Sequence, residues 1–317
     1  MGKGNYLVEV PPEKANALEP AFQALGLEQS RVKNIRQFHE DGGGADRAYS
    51  VYRMEYDGRE AVLKRSAPAE AELYRAYLEQ GDFPVPTLYR AAQKGKSCWL
   101  LLEYVPGNDL REFTPELASL AAESLSALHN AYWRGEPESG GENSGERFER
   151  YWARITRRAQ CLAAHPALGE AYQIFLERQK TCPLTLCNGD FLQYNALFDG
   201  KRVVLIDWAF GGEMPYSLDL ARLIAHGSEN REAFPYYMTD SLRREFLQAY
   251  YRRMKQPLDY REFLWDVTLA ALNEFVEFLE EDFLANAADP DPFYLRRVEE
   301  TAALILRGRQ AFHGSNA

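Results

Sequence analysis

Cations are in the minority in this sequence of 317 residues: Lys and Arg number 37 against 47 Asp and Glu, for a formal net charge of −10. That balance gives no global attraction to nucleic acid or to an anionic membrane, although it permits an acidic pocket for a cationic substrate. Long apolar runs are missing as well. No stretch approaches the roughly 18 apolar residues of a bilayer span, and the opening MGKGNYLVEVPPEK lacks the apolar core of a signal peptide. The expectation is a soluble, cytoplasmic protein with neither nucleic acid nor membrane as partner. Cysteine is scarce. Cys98, Cys161, Cys182 and Cys187 show no paired spacing, so no zinc or dithiol redox motif is present and buried free thiols are expected. A Walker A loop is absent, and a full G-x-G-x-x-G fails because Arg47 stands where its third Gly belongs.

What is present begins with a hydrophobic content of 46% and 13% aromatics, enough for a packed globule, in a chain long enough for two lobes. The stretch Leu186 to Trp208, LCNGDFLQYNALFDGKRVVLIDW, holds Asp190, Asn195 and Asp207. Between the last two lie a short apolar run, the turn pair Asp199-Gly200 and a second apolar run, a hairpin pattern whose loop Lys201 and Arg202 can lengthen. Closing that hairpin returns Asp207 towards the loop of Asp190 and Asn195. Two carboxylates and an amide suit a hard cation such as Mg²⁺, which takes oxygen ligands and few protein groups. Asn195 and Asp207 fit that duty and leave Asp190 to accept a proton from an attacking hydroxyl. Read alone, an Asp-x4-Asn spacing is equally a pair of turn formers, as Asp199 is read here.

Upstream, residues 11–27 carry a weak helical pattern ending at Gly26. From Val32 the texture turns to strand: Val32 to Phe38, Ala48 to Tyr56, then a hairpin at Asp57-Gly58 into Glu60 to Arg65. The tip Gly42-Gly43-Gly44 can bring backbone N–H groups to phosphate or be a plain flexible turn. The third strand ends Ala61-Val62-Leu63-Lys64. A helical stretch from Ala69 to Glu79 offers Glu70 and Glu72, which point roughly 200° apart, so only one can face Lys64. Ser97 to Val105 reads as a buried strand running into Pro106-Gly107-Asn108. Thr114-Pro115 opens a capped helix with one apolar face, at whose end His129 reads as structural. The acidic, Gly- and Ser-rich segment 135–146 reads as a loop. Tyr151 to Lys180 is helical, and three more helices follow Ser217-Leu218-Asp219-Leu220-Ala221-Arg222. The middle one of these ends in Glu274, Glu277, Glu280, Glu281 and Asp282, read as a solvated face.

In this order the motifs resemble the aminoglycoside phosphotransferase and choline kinase-like families, small-molecule relatives of protein kinases. Their pattern is His-Gly-Asp-x4-Asn, a hairpin, then Ile-Asp-Phe or Ile-Asp-Trp; here the His is Asn188. The resemblance implies an α+β, bilobal protein-kinase-like fold, with a nucleotide-binding lobe over 1–105 and a helical catalytic and substrate-binding lobe over 106–317. It implies ATP or GTP and Mg²⁺ as cofactors, with Asp190 as the catalytic Asp and Asn195 and Asp207 as metal ligands. Lys64 would meet the phosphates and Glu70 would hold Lys64, with Glu72 in reserve. Gly43 and Gly44 would cover the phosphates, and the backbone near Glu103 to Val105 would meet adenine. Asp219 would brace the catalytic loop. The implied activity is transfer of a γ-phosphoryl group to a small-molecule hydroxyl, on an aminoglycoside or other antibiotic, an amino alcohol or a sugar-like acceptor. Leu192, where protein kinases carry Lys, favours a small-molecule acceptor. The alternative is a kinase-fold binding or structural protein of the spore-coat type.

Overall fold

A computed structural model describes residues 5–41, 46–135, 146–229, 236–285 and 287–313. The Gly42–Gly44 tip, with Gly43 and Gly44, and the loop 136–145 lie outside them.

In chain order, β1 (Asn5–Glu9) precedes two short helices, α1 (Pro12–Ala15) and α2 (Glu19–Leu25). The helical pattern over 11–27 thus breaks into two pieces around a 3-10 turn at Asn16–Leu18. The second piece stops at Gly26, whose φ of 64° is the left-handed end that glycine adopts without strain. Next come β2 (Val32–Asp41), β3 (Asp46–Tyr56), β4 (Arg59–Ser66) and α3 (Pro68–Ala76). The β3–β4 turn has Asp57 at φ 54° and Gly58 at φ 74°, the two left-handed central residues of a type I′ hairpin. β5 (Leu88–Lys94), β6 (Ser97–Glu103) and the two-residue β7 (Asn108–Asp109) complete the first half.

The second half runs α4 (Pro115–Ala131), α5 (Glu146–Arg158), α6 (Pro166–Gln179), β8 (Leu184–Cys187), β9 (Ala196–Phe198), β10 (Val203–Leu205), β11 (Gly212–Pro215) and α7 (Ser217–Ala225). It ends with α8 (Asp240–Arg253), α9 (Tyr260–Ala285) and α10 (Pro292–His313). Thr114 caps α4 by accepting the Leu117 N–H at 3.2 Å, with Pro115 in the first turn. The helix expected over 151–180 is interrupted by a 3-10 turn at Ala159–Leu162 and by Pro166, which opens α6.

The architecture is α+β: an antiparallel sheet in the N-terminal region and a helical C-terminal part. Two compact units divide the chain. The first comprises Met1–Glu112, Gln193–Phe210 and Asn230–Tyr237; the second comprises Phe113–Leu192, Gly211–Glu229 and Met238–Ala317. In the first, a six-stranded sheet has the order β1-β2-β3-β4-β6-β5, all pairs antiparallel. Its two edge strands, β1 and β5, lack the continuous apolar texture that marks β6. One face packs on α2 through Phe22, Leu25, Met54, Ala61, Leu63 and Leu101, all buried. Burial of each such large side chain contributes about 1.5–3 kcal/mol. A small ribbon of order β10-β9-β7 belongs to the same unit.

The second unit pairs β8 with β11 and packs α4 on α8, and α9 on α7 and α10. Phe263 of α9 lies among Tyr216, Tyr250 and Tyr260 with stacked rings. All four cysteines are buried and free. Among the described residues, no helix is long and apolar enough to cross a membrane.

Candidate active site

Within the first unit the chemistry gathers on Lys64. Along β4, Ala61 and Leu63 enter the core and the alternation of a strand turns Lys64 to the other face. There Nζ lies 2.9 Å from Glu70 Oε1 and 2.7 Å from Asp207 Oδ1. Pro68 starts α3 directly after β4, which puts Glu70 in the first turn, where the helix dipole favours a carboxylate. Glu70 Oε1 also accepts the Trp208 N–H at 3.1 Å, and its Oε2 accepts the Ser66 hydroxyl. Glu72 is exposed on the opposite side of α3, so the ion pair with Lys64 is made by Glu70. Burial pulls the Lys64 ammonium down, but the two carboxylates outweigh it and leave its pKa above the usual value. Glu70 shows 1% side-chain exposure against 43% for Asp207. Glu70 is therefore an internal clamp, while Asp207 is open to a ligand.

The β9–β10 hairpin delivers Asp207. Phe198 pairs with Val203 across a four-residue loop, in which Asp199 Oδ1 accepts the N–H groups of Lys201 and Arg202 at 2.9 and 2.8 Å. Past the last strand pair, Ile206 donates to the Asn195 carbonyl at 2.9 Å, which brings the backbone of Asn195 beside the residue preceding Asp207. Asp207 has a φ of 56°, a left-handed conformation that Asp tolerates better than most residues. Trp208 is fully buried, with its ring N–H on the Leu205 carbonyl at 3.1 Å. Asn195 ends a 3-10 turn and is buried. An amide and a carboxylate offering only oxygen fit a hard divalent cation.

β9 also pairs with β7, and a Cβ on Gly107 would come within 2.4 Å of the Phe198 carbonyl oxygen. Glycine there allows the segment after β6 to lie against the hairpin. Glu103 ends β6, and its carboxylate accepts the N–H and hydroxyl of Thr87 at 3.1 and 2.9 Å. Val105 is half-buried just beyond.

Asp190 belongs to the second unit, on the loop after β8. Gly189 has a φ of 79°, which suits glycine. The N–H groups of Asn188 and Gly189 both donate to Asp219, at 2.6 and 2.8 Å, and the Asn188 side-chain oxygen accepts the Asp190 N–H at 3.2 Å. Asp219 is completely buried on α7. Next to it His129, also buried, meets the Tyr250 hydroxyl at 2.7 Å through Nδ1 and faces Asp219 at 3.6 Å through Nε2. Ligand atoms of His129, Cys187 and Asp219 lie within 4.8 Å of one another. This is packing: Asp219 is engaged with the loop, and burial holds Cys187 as a thiol hydrogen-bonded to backbone carbonyls.

One turn along α7 from Asp219, Arg222 donates from Nε and Nη2 to Asp190 Oδ1 at 3.0 and 2.9 Å. Its Nη1 reaches Glu274 Oε2 at 2.7 Å and lies 3.7 Å from Glu277. Burial pulls the guanidinium pKa down, yet the carboxylates of Glu274, Asp190 and Glu277 leave it above its usual value. At Glu274, Glu277 and Glu280 the acidic run of α9 is therefore not a solvated face, while Glu281 is exposed. Glu274 is buried, and Glu277 and Glu280 pair with the buried Arg158. Sequence periodicity hides this because charges answering Glu274 and Glu277 come from α5 and α7. Arg222 was legible in principle, as the one cation on a helix whose other residues, Asp219 apart, are small or apolar.

The sequence matches the model of the phosphotransferase enzyme family over residues 39–263. No curated protein sequence is a match. Among solved structures, the fold is similar to a thermostable mutant of aminoglycoside phosphotransferase APH(4)-Ia in ternary complex with ADP and hygromycin B. That likeness has a TM-score of 0.59 at 14% identity and covers 90% of this chain and 97% of that one. An aminoglycoside phosphotransferase from Alicyclobacillus acidocaldarius is similar at TM-score 0.55 and 18% identity, covering 97% and 96%. Choline kinase from Cryptosporidium parvum Iowa II follows at 0.52 and 12%, covering 95% and 96%. These likenesses are of fold. The match of the family model runs from the sheet that carries Lys64 to the start of α9 and takes in Asp190, Asn195 and Asp207: the chain belongs to the phosphotransferase enzyme family.

Proposed function

We propose that this chain transfers the γ-phosphoryl group of ATP (or GTP) to a hydroxyl of a small molecule, in an Mg²⁺-dependent reaction. The observation that carries the reading is the clasp of Lys64 between buried Glu70 and open Asp207. An ammonium fixed this way is ready to meet phosphate oxygens, with one carboxylate kept inside and the other exposed. Asn195 and Asp207 would hold Mg²⁺, whose bound charge neutralises phosphate oxygens. Lys64 orients the α- and β-phosphates, and the backbone near Glu103 to Val105 receives the base, with Gly43 and Gly44 over the phosphates. ADP in the hygromycin-bound relative supports nucleotide binding.

Asp190 orients the acceptor hydroxyl and takes its proton. The acceptor oxygen forms a bond to the γ-phosphorus as the bond to the β–γ bridging oxygen breaks, and the nucleoside diphosphate leaves. Such transfer needs alignment and charge neutralisation more than covalent help from the protein. Residues 1–105 would bind the nucleotide, and 106–317 would carry Asp190, the magnesium ligands Asn195 and Asp207, and the acceptor site. Dependence on ATP implies a cytoplasmic setting. The neighbours' acceptors, an aminoglycoside and by name choline, set the first compounds to try.

The test is label transfer from γ-labelled ATP with Mg²⁺ across a panel of aminoglycosides, amino alcohols, sugars and nucleosides. Label in at least one hydroxyl product, lost on chelation of Mg²⁺, is expected. Mg²⁺-ATP binding with no transfer to any member would favour a non-catalytic binding role.

A further inference from the structure

Asp219 and Arg222 lie three residues apart on α7, and both grip the loop that carries Asp190. Asp219 takes the N–H groups of Asn188 and Gly189, so it holds backbone. Arg222 takes Asp190 Oδ1 with two N–H groups, so it holds the side chain. A guanidinium presents its donors in a rigid planar fork, and two donors on one oxygen restrict the Asp190 carboxylate more than a single contact would.

Arg222 is itself fixed from behind. Glu274, with 3% side-chain exposure, accepts Nη1 at 2.7 Å. The same oxygen faces His226 Nε2 at 3.3 Å, and His226 Nδ1 meets the Tyr294 hydroxyl at 3.0 Å. Glu277 flanks the guanidinium, and the Phe278 ring lies 5.7 Å from it. A buried carboxylate held this way needs its cation: removing one partner of such a pair is strongly destabilising. Nothing in packing alone requires that the cation also reach Asp190 with two donors.

We propose that Arg222 is a positioning residue for phosphoryl transfer, with Glu274 as its buried counter-ion, setting the Asp190 carboxylate in the orientation that meets the acceptor hydroxyl. The inference rests on the reading of Asp190 given above. It separates two jobs on one helix: Asp219 shapes the loop and Arg222 aims the carboxylate.

The test compares wild type, Arg222→Lys and the double variant Arg222→Ala/Glu274→Gln, which removes the buried Glu274 carboxylate together with its cation in case the single alanine variant fails to fold. Each is assayed with Mg²⁺-ATP and the acceptor that wild type phosphorylates, with and without added guanidinium chloride at low concentration. A misaimed reacting group typically costs about 100-fold, so kcat is expected to fall about that much in the double variant, with KM for ATP unchanged. Arg222→Lys keeps the charge but not the fork, and is expected to recover only part of the rate. Guanidinium should raise kcat of the double variant and leave wild type unaffected. A folded double variant with wild-type kcat, or a loss of rate that guanidinium cannot restore, overturns the positioning role. Absence of transfer by wild type itself would instead remove the functional reading beneath it.

Discussion

Lys64 and Asp207 are 143 positions apart in the chain, yet Nζ and Oδ1 sit 2.7 Å from each other. Three local rules create that contact. Strand alternation turns Lys64 away from the core, the four-residue hairpin loop reverses the chain, and the Ile206–Asn195 hydrogen bond sets where the returning strand stops. Glu70 then anchors both ends, since one oxygen serves Lys64 and the Trp208 N–H together.

That shared anchor predicts non-additivity. Lys64→Met leaves Glu70 buried without its cation and should cost about 3–5 kcal/mol of stability. Glu70→Gln leaves Lys64 with Asp207 and should cost less. In a double-mutant cycle by chemical denaturation, the two changes should couple by about 0.5–3 kcal/mol. Strict additivity would mean that the pair contributes nothing to the fold.

Asp219→Asn tests the loop. An amide has one acceptor oxygen where the carboxylate has two, so one of the Asn188 and Gly189 N–H groups loses its partner. A loss of about 1.5–3 kcal/mol is expected for a hydrogen bond to a charged group, along with a fall in kcat larger than any change in KM for ATP. Thermal melting and steady-state kinetics on one preparation give both readings. Unchanged kcat would mean that the loop keeps its shape without the clasp.

Gly107→Ala tests the approach of the segment after β6 to the hairpin. The new Cβ would stand 2.4 Å from the Phe198 carbonyl, which is backbone and cannot swing away. Destabilisation of about 1–3 kcal/mol is expected from overpacking, with weakened ATP affinity. Gly58→Ala is the control: its space is open and only its φ of 74° resists a side chain, so about 1 kcal/mol and no change in affinity are expected. The two affinities can be read by calorimetric titration with Mg²⁺-ATP.

Acid should loosen the network behind Arg222. Burial pushes the His226 imidazole below its ordinary value of 6.5, so the folded chain keeps it neutral where the unfolded chain begins to bind a proton. Its contribution is present above about pH 6.5 and is lost as the pH falls towards the folded pKa. Burial alone would push the Glu274 carboxyl up, but the Arg222 guanidinium beside it holds it well below the usual range. Its contribution is present above the ordinary carboxylate value and is lost as the pH falls through the depressed one. Melting temperature should therefore drop between pH 7 and pH 5 less steeply in His226→Gln than in wild type. Equal slopes would show that His226 is not linked to folding.

Much of this was legible from residue types and spacing. The Asp57-Gly58 and Asp199-Gly200 pairs announced their hairpins because only a few residues accept those turns, and Thr114-Pro115 announced the start of α4. Asn195 and Asp207 stood out because the hairpin between them reverses the chain, and the Ile206 N–H does return to the Asn195 carbonyl. The edge strands β1 and β5 did not stand out, since most of their described side chains are exposed and polar and apolar residues are mixed in short runs. Glu274 was hidden for a different reason. A carboxylate on a helix reads as solvated unless the answering cation is known, and Arg222 comes from another helix. Pairing across elements is a tertiary fact that periodicity does not carry.

Phosphoryl transfer by this chain is expected to require Asp190. The direct measurement is single-turnover transfer from γ-labelled Mg²⁺-ATP to the acceptor found in the hydroxyl panel, by wild type, Asp190→Ala and Asp207→Ala, with ATP binding measured alongside. Label in the acceptor is expected with wild type, no label with Asp190→Ala although it still binds nucleotide, and loss of Mg²⁺-dependent binding with Asp207→Ala. Transfer by Asp190→Ala at the wild-type rate would contradict the role given to Asp190.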